Sequence, residues 1–497
     1  LGDEGYEIAL YEGELYLAGY KAQGTLNAVF AFLEEDAGLR WYAPDATYVP
    51  AKTTVNIVPR VSKPAFELRN PRGFSVLDHE WALRNRINGN NSYIPDEWGG
   101  HMRYAIFVHS NPHLVPPDQY FEEHPEYFAL VDGRRNRKNL CLTHPAVIAL
   151  VARRTHNVLK DKPWANMMSI SPRDGKWICE CPRCQKLIED NGAPSAPIVH
   201  FANLISDHVS QIHSEVRFST LAFQNYTRPP DLLRPRDSLI IRFCTNNSSW
   251  PHPFTPLSHG QPDAEHLKQW IAIHEQVYVW DYTANYSHFL APMPNLERTA
   301  ANIRFFEEVG VRGVMLQSPL SRAQDRGSMR SWVFSKLLWN PAYSLPLLKE
   351  DFIRGYYGPV ASYMLDYERL LTKQKQEHPN LLSEGMNIRY PLRSTFYEHE
   401  FLDKGLSLMK QALSQAHSEK LKLRVREAML PLLIVRLRQN PRGHHDIADY
   451  TEYIRIFEKT TEALNITRMN SAGLTPSSSI KNFRSFVEKM KESGRLE

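Results

Sequence analysis

Short apolar runs recur through the middle of the chain, and stretches with helical spacing separate them. Seven runs are candidate strands: residues 66–69, 104–108, 167–170, 216–223, 238–244, 277–281 and 313–317. Apolar runs that alternate with helices are typical of a parallel sheet buried on both faces. Their number and spacing predict an α/β fold with a (β/α)8 TIM-like barrel. A doubly wound sheet is the alternative, which the lack of a glycine-rich dinucleotide fingerprint after any run disfavours.

The patterns on either side of this region differ from it. Residues 6–19 alternate polar and apolar side chains and predict a β-hairpin that turns at Glu12-Gly13, and a helical pattern follows. After Pro341 the strand signals stop, and helical periodicity covers residues 346–376, 400–440 and 445–465. The predicted domains are therefore an N-terminal α/β accessory domain (1–62), the barrel (63–345) and a C-terminal α-helical domain (346–497).

The composition of the chain limits the classes of molecule that we expect it to bind. The 59 basic and 55 acidic residues give a net charge of only +4, which does not indicate a nucleic-acid partner. No apolar run reaches the ~18 residues that a membrane span needs. The chain begins within a strand pattern, without a signal peptide at Leu1, so we expect the N-terminal domain to be truncated. The sequence does not indicate an oligomeric state.

Polar and aromatic side chains follow the predicted strands. A barrel brings the carboxyl ends of its strands to one rim, where barrel enzymes keep their active sites. Amides, imidazoles and aromatic faces at such a rim suit a sugar, so we predict a glycan partner. The predicted substrate-binding residues are Arg69, His109, His113, Asn225, Tyr226, Trp250, Trp280, Tyr282 and Gln317.

Two acids, Asp174 and Asp281, lie directly at predicted strand ends. Glycoside cleavage needs a proton donor and usually a second carboxylate, so both are predicted to be catalytic. The aromatic neighbours of Asp281 suggest a partly apolar setting that would raise its pKa. Each aspartate has the alternative role of a helix cap. The reserve candidates, in the loop after the first strand, are Asp78, Glu80 and Glu97.

Three cysteines follow Asp174 closely: Cys179, Cys181 and Cys184. They are candidates for a structural zinc site if Cys141 or a histidine supplies a fourth ligand, although their spacing is irregular. A disulfide to Cys141 and simple buried thiols are the alternatives. No partnered His/Asn arrangement indicates a catalytic cysteine, and we expect no catalytic metal or cofactor.

Several longer motifs resemble the bacterial family catalogued as domain of unknown function 4838. They are residues 120–134 and 139–145, Ser169-Ile-Ser-Pro-x-Asp-Gly with its trailing cysteines, and Lys336-Leu-Leu-Trp-Asn-Pro341. Residues 24–34 and Gly38-Leu-Arg-Trp-Tyr-Ala-Pro44 resemble the accessory domain that precedes the barrel in family 20 hexosaminidases and α-glucuronidases. Together the matches cover most of residues 15–360.

Part of that family is classed as glycoside hydrolase family 163, endo-β-N-acetylglucosaminidases acting on complex N-glycans. The resemblance implies a bacterial hydrolase that is secreted, periplasmic or at the cell surface. It implies a retaining mechanism in which the substrate's acetamido group attacks the anomeric carbon. Asp174 would be the acid/base or the acetamide-orienting group, and Asp281 would take the other role. Gly175 stands where family 20 enzymes have the glutamate of an Asp-Glu pair, so their mechanism does not transfer directly.

Two further functions fit the same scaffold. One is an α-glucuronidase-like or other exo-acting glycosidase, in which Arg69 or Arg173 pairs with a sugar carboxylate. The seventh strand, however, ends at Gln317 without the acid that such chemistry would use. The other is a catalytically inactive glycan-binding protein, which the scarcity of acids at strand ends favours.

Overall fold

The chain begins with a small α/β unit. Its antiparallel sheet, in the order β2-β1-β5, is formed by β1 (Tyr6–Tyr11), β2 (Glu14–Gly19) and β5 (Arg60–Ser62). Helix α1 (Ala22–Ala31) continues into a π-helical turn (Phe32–Asp36), and a separate hairpin consists of β3 (Arg40–Ala43) and β4 (Ala46–Tyr48). The computed structural model describes residues 3–51, 54–247, 252–256, 263–378, 389–392, 394–439 and 447–492.

The first hairpin confirms the prediction from alternation. Tyr11 pairs with Glu14, so the turn has two residues, Glu12 and Gly13. Both have positive φ, 49° and 84°. A two-residue turn with positive φ at both positions matches the right-handed twist of the strands it joins, and glycine adopts such a φ without steric cost.

A parallel sheet of six strands forms the centre of the molecule. Its strands are β6 (Leu68–Asn70), β9 (Met167–Ser169), β10 (Arg217–Ala222), β11 (Leu239–Cys244), β12 (Val277–Tyr282) and β13 (Gly313–Gln317). They lie in the order β6-β13-β12-β11-β10-β9. A hairpin of β7 (Phe128–Val131) and β8 (Arg134–Leu140) comes between β6 and β9 in the chain. Six of the seven predicted strands are thereby confirmed.

The eight-stranded closed barrel is not confirmed. The predicted strand at 104–108 is only an isolated parallel bridge, from Tyr104 to Met167. Single backbone hydrogen bonds cross from it to the other edge of the sheet. Met102 N–H donates to Asn88 C=O at 3.2 Å, and Asn88 N–H donates to Arg69 C=O at 3.4 Å. The sheet therefore curls toward closure, but isolated hydrogen bonds replace regular strands along this seam.

Helices cover the outer face of the curled sheet. Those between β6 and the C-terminal region are α2 (His79–Arg84), α3 (Asn111–Leu114), α4 (Pro117–Tyr120), α5 (Pro145–Asp161), α6 (Pro182–Asn191), α7 (Ala196–Ser210), α8 (Asp263–Ile273), α9 (Leu296–Val309) and α10 (Gly327–Trp339). Helix α6 begins at Pro182, which needs no N–H partner there, and ends before Gly192, which has φ 63°.

Alternation along the strands divides their side chains between two faces. Leu68, Met167, Ile240 and Tyr278 form one buried cluster inside the curl. Their strand neighbours, such as Val279, belong to the larger core on the helix side. Each strand therefore contributes every second side chain to the interior of the curl.

The C-terminal region is helical, as predicted. It consists of α11 (Leu345–Tyr357), α12 (Ala361–Glu377), α13 (His399–Gln415), α14 (Glu419–Gln439), α15 (Ile447–Ala463) and α16 (Pro476–Glu492), each packed on the next. On α13 the side chains of Leu402, Leu406 and Met409 are buried, at the spacing of one helix face. None of the helices in the described ranges is long and apolar enough to cross a membrane.

The N-terminal unit is joined to the central sheet around Trp339. The guanidinium carbons of Arg69 and Arg86 lie 5.3 and 5.0 Å from the centre of the indole ring. Arg69 forms an ion pair with Glu4 at 2.7 Å, and Arg86 forms one with Glu34 at 2.8 Å. Both arginines are buried, so this junction fixes the accessory unit to the sheet.

Candidate active site

The carboxyl ends of the parallel strands form an opening that we call the mouth. Inward-facing aromatic side chains line it. Trp280 and Tyr282 are stacked with ring centroids 6.1 Å apart, and Tyr286 lies 5.9 Å from Tyr282. Phe107 lies 5.7 Å from Trp280 on the other side. Flat apolar surfaces of this kind suit the faces of sugar rings.

Asp174 lies at this mouth in the loop that follows β9. Its side chain is 72% exposed, and its Oδ1 is 3.4 Å from His109 Nε2. Burial raises the pKa of the Tyr282 hydroxyl well above 10, and the charges of Cys244, Tyr286 and Asp174 raise it further. The structure thus brings together the predicted residues Asp174, His109, Trp280 and Tyr282.

A hydrogen bond shows which ring nitrogen of His109 carries a hydrogen. Its Nδ1 lies 2.7 Å from the carbonyl oxygen of Pro172. Because a carbonyl only accepts, Nδ1 carries a hydrogen. Nε2 then faces Asp174 either as a lone pair or as the second N–H of an imidazolium. His109 and Asp174 can therefore share a proton at the mouth.

Side chains from two neighbouring segments, β8 and the turn after β10, hold the backbone of the Asp174 loop. Asn139 accepts from the Arg173 N–H at 3.2 Å and donates to the Trp177 carbonyl at 3.3 Å. Gln224 accepts from the Gly175 N–H at 3.1 Å. The buried Tyr226 hydroxyl donates to Trp177 C=O at 3.1 Å. Tyr226 therefore supports the loop in this structure, whereas the sequence predicted that it contacts substrate.

Asp281 does not face the mouth, which contradicts the predicted catalytic role. Its side chain is fully buried on the helix side of β12. It accepts hydrogen bonds from Thr245 at 2.6 Å, from Arg298 at 3.0 Å and from Asn302 at 2.9 Å. Because strand residues alternate between faces, Trp280 and Tyr282 point inward and Asp281 points outward. Its carboxylate forms a buried ion pair and is closed to a ligand.

Arg69 also lies away from the predicted site. It is buried at the junction with the N-terminal unit, where Glu4 and backbone carbonyls satisfy it. Among the reserve acids, Asp78 caps α2 by accepting from Trp81 N–H at 2.7 Å, and Glu80 pairs with Arg84 at 2.6 Å.

Other predicted residues have less defined surroundings. His113, on the short helix α3, and Asn225, in the turn after β10, are exposed, as is Glu97. The roles of His113 and Asn225 remain predictions. Trp250 lies outside the described residues.

Sequence reasoning missed two arginines at the mouth. Arg242 is buried inside the curl, with its guanidinium 4.8 Å from the Phe107 ring and 5.9 Å from the Trp280 ring. Burial lowers the pKa of Arg72, and the charge of Arg242 also lowers it. A signal was present for Arg242, since an arginine within the apolar strand Leu-Ile-Ile-Arg-Phe-Cys requires a special environment.

The mouth contains buried polar atoms that the protein leaves unsatisfied. Trp280 Nε1, Gln317 Oε1 and Arg72 Nε have no hydrogen-bond partner among the described residues. Burial raises the pKa of the nearby Tyr286 hydroxyl to about 12, against the effects of Gln317 and Arg72. A ligand rich in hydroxyl groups would satisfy such donors and acceptors.

The cysteines that follow Asp174 are brought together with Cys141. All four are buried and free, and their sulfur atoms lie within 4.8 Å of one another. The predicted alternative of a disulfide to Cys141 is therefore not present in the structure.

Comparisons with known proteins bear on the family and the fold of the chain. The sequence model described as "Domain of unknown function (DUF4838)" matches residues 41–395. None of the curated protein sequences matches the chain.

Two solved structures that are similar to this chain are family 89 glycoside hydrolases from Clostridium perfringens. One is in complex with 2-acetamido-1,2-dideoxynojirimycin: it has 10% identity and a TM-score of 0.52, and the alignment covers 92% of this chain and 61% of that one. The other, in complex with its substrate GlcNAc-α-1,4-galactose, has 10% identity and a TM-score of 0.52, with coverage of 94% and 60%.

A GH138 enzyme targeting pectin rhamnogalacturonan II has 11% identity, a TM-score of 0.44 and coverage of 99% and 74%. This chain thus spans about 60% of the length of the family 89 structures and shares their fold.

Proposed function

We propose, from the premise that the chain belongs to the DUF4838 family, that it is a glycoside hydrolase whose substrate binds at the mouth. The observation that carries this proposal is the exposed carboxylate of Asp174, held 3.4 Å from His109 Nε2 beside stacked aromatic rings. Glycoside cleavage needs a proton donor beside the bond that breaks, and aromatic rings suit the faces of sugar rings.

Asp174 acts as the acid/base or acetamide-orienting carboxylate. His109 Nε2 lies 3.4 Å from its Oδ1, close enough to exchange a proton with it. Trp280 and Tyr282 stack on the sugar, and the buried donor of Trp280 and acceptor of Gln317 bind its hydroxyl groups. The fixed loop backbone keeps the carboxylate in place through the reaction.

The substrate class that we propose is an N-acetylhexosaminide. Two considerations support it: the family resemblance and the 2-acetamido ligands of the two family 89 structures with the same fold. An acetamido group that attacks the anomeric carbon also removes the need for a protein nucleophile, which Asp281 cannot supply from the outer face. The specific form that we propose is an endo-β-N-acetylglucosaminidase that acts on complex N-glycans and retains the anomeric configuration.

The test is incubation with a complex-type glycoprotein, followed by mass spectrometry of the released glycans. We expect release from the wild type, with one N-acetylglucosamine left on the protein. Asp174→Asn should reduce the rate by roughly 10²–10⁴-fold, the usual contribution of a positioned acid/base.

The matched control is Asp161→Asn, which alters an exposed aspartate at the end of α5. It should release glycans at the wild-type rate. Circular dichroism and thermal melts of both variants should match the wild type. Normal turnover by folded Asp174→Asn would remove Asp174 from the mechanism, and glycan binding without any product would indicate an inactive binding protein.

A second candidate function is a glycosidase for acidic sugars. Within the described ranges, neither Arg72 nor Arg242 forms an ion pair with a carboxylate. The guanidinium of Arg242 contacts the rings of Phe107 and Trp280, and its charge lowers the pKa of Arg72. Buried cations without an anionic partner are costly, and a sugar carboxylate or sulfate would compensate them. This pair replaces Arg69, which the sequence suggested for the same task.

A panel of aryl glycosides separates the two candidates. If an acidic sugar is the substrate, aryl uronides are hydrolysed in preference to aryl N-acetylhexosaminides. Arg72→Met then raises the KM for the uronide by about 10–100-fold, the loss expected for a charge-assisted hydrogen bond of roughly 1.5–3 kcal/mol. Hydrolysis of N-acetylhexosaminides alone would exclude this candidate.

A further inference from the structure

Four cysteines from two separate segments of the chain meet at one point. Cys141 directly follows β8, Cys179 and Cys181 lie in the loop after β9, and Cys184 lies in the first turn of α6. Each is between 1% and 6% exposed. Such convergence does not follow from chain proximity, because about forty residues separate Cys141 from the other three.

The spacing of the sulfur atoms matches a tetrahedral metal site. Cys141 Sγ lies 3.5 Å from Cys181 Sγ and 4.0 Å from Cys184 Sγ. Zinc–sulfur bonds of about 2.3 Å in a tetrahedron place the sulfur atoms about 3.8 Å apart. One ion at the centre would therefore lie close to all four sulfur atoms.

Polar groups around the cysteines point toward sulfur. Leu130 N–H donates to Cys179 Sγ at 3.3 Å, and Thr143 Oγ1 lies 3.1 Å from Cys184 Sγ. Outer contacts of this kind stabilise thiolates and orient metal ligands. Without a cation, several buried thiolates at these distances would repel one another strongly.

We propose that Cys141, Cys179, Cys181 and Cys184 bind one structural Zn²⁺ ion. Sulfur ligands select zinc over magnesium or calcium, which prefer oxygen. Four protein ligands fill a tetrahedral site and leave no position for water, so the ion stabilises the fold and takes no part in catalysis.

The ion joins the β7–β8 hairpin, the Asp174 loop and the start of α6. The same hairpin contributes Asn139, which bonds to the loop backbone on either side of Asp174. The metal therefore fixes the loop at its end, and Asn139 fixes it at its centre. This inference is independent of the reaction proposed for the mouth.

The first test is elemental analysis of the full chain, purified under reducing conditions without chelators or metal-affinity resin. We expect about one zinc ion per chain, as in other four-cysteine sites. Replacement by Co²⁺ should produce the charge-transfer and visible bands of tetrahedral cobalt thiolate, a signature that buried thiols alone do not give.

Cys184→Ser should lower the zinc content to below about a fifth of an ion per chain and lower the melting temperature, because a structural metal contributes folding free energy. The matched control is Cys244→Ser, since Cys244 is buried and free but lies outside the cluster. It should keep the full zinc content.

Another test uses only the wild type, so its result does not depend on whether the variants fold. A mercurial reagent that blocks its thiols should release the zinc in proportion to the modified cysteines. A folded wild type without transition metal, or with iron in place of zinc, would overturn the proposal. So would disulfides within the cluster, seen by mass spectrometry without reduction.

Discussion

Neighbouring residues of one strand have opposite roles in this molecule. Trp280 and Tyr282 face the mouth, and Asp281 between them contacts α9 on the outer face. The ion pair between Asp281 and Arg298 is almost fully buried, with side-chain exposures of 0% and 1%. At the scale of the residue, the direction of a side chain decides whether a carboxylate is available to a ligand or stabilises the fold.

Asp281→Asn should therefore destabilise the protein. It removes the negative charge that compensates the buried guanidinium of Arg298, and breaking such a pair costs roughly 3–5 kcal/mol. Urea denaturation monitored by tryptophan fluorescence measures the change in the free energy of unfolding.

The control is Asp161→Asn, because Asp161 is exposed, whereas Asp325 is another buried partner of an arginine. This replacement should change the free energy of unfolding by less than about 0.5 kcal/mol. If Asp281→Asn lost all hydrolysis at unchanged stability, the structural role assigned to Asp281 would be refuted.

The central element of the site is the loop from β9 to α6. Asn139, which is 5% exposed, bonds to its backbone at two points. Asn139→Ala should cost about 1–2 kcal/mol of stability, because two hydrogen bonds are lost. It should lower kcat by roughly 10–100-fold through misplacement of Asp174.

Steady-state kinetics on a released-glycan or aryl-glycoside assay measure this effect. The matched variant is Asn136→Ala, in the same hairpin, because the Asn136 side chain accepts a hydrogen bond only from the nearby Lys138 N–H among the described residues. It should retain wild-type kcat. Equal loss of kcat in both variants would argue for general damage to the hairpin.

The elements themselves were largely predictable from the sequence. Six apolar runs became strands of one parallel sheet, because local periodicity decides which residues extend. The run at 104–108 did not, since it forms only a bridge at Tyr104. Local patterns do not show how a sheet edge closes, and that depends on contacts such as those of Asn88.

The site was predictable only in part. Its place at the carboxyl ends of the strands, and the meeting of His109 with Asp174, agree with the sequence analysis. The sequence analysis placed the end of the first strand at Arg69, whereas the strand extends to Asn70. Arg69 faces outward because it alternates with the inward-facing Leu68 and Asn70, and it pairs with Glu4. Neighbouring strand residues lie on opposite faces, and the apolar pattern of so short a strand does not show which of its residues faces the mouth.

On the scale of the whole molecule, buried charges join the N-terminal unit to the central sheet. Glu34 of that unit pairs with Arg86 at 2.8 Å and with Lys336 of α10. Burial alone would raise the pKa of Glu34, but the charges of Lys336 and Arg86 lower it below 4.5 overall. Folding therefore favours the ionised carboxylate.

The acid stability of the protein follows from this shift. Above about pH 4.5 the ionised Glu34 stabilises the folded state, and this contribution is lost as the pH falls through the lowered pKa. Glu34→Gln should lower stability by roughly 3–5 kcal/mol at pH 7 and weaken the dependence on pH below 4.5. Thermal melts from pH 7 to pH 3 measure both effects.

Glu35→Gln is the matched comparison, because Glu35 is partly exposed and lies 3.5 Å from Arg86. Its effect should be clearly smaller. We expect the N-terminal unit and the sheet to melt together. Separate melting of the N-terminal unit would contradict the view that the junction is part of a single core.

The alternation of β12 has a practical consequence for engineering. Trp280, Tyr282 and Gln317 are three positions whose side chains face the mouth and not the helices outside the sheet. A combinatorial library restricted to these three codons would sample new ligand preferences and leave the buried ion pair of Asp281 with Arg298 intact. Asp281 should be kept constant in every member, since it supports the scaffold on which such diversity depends.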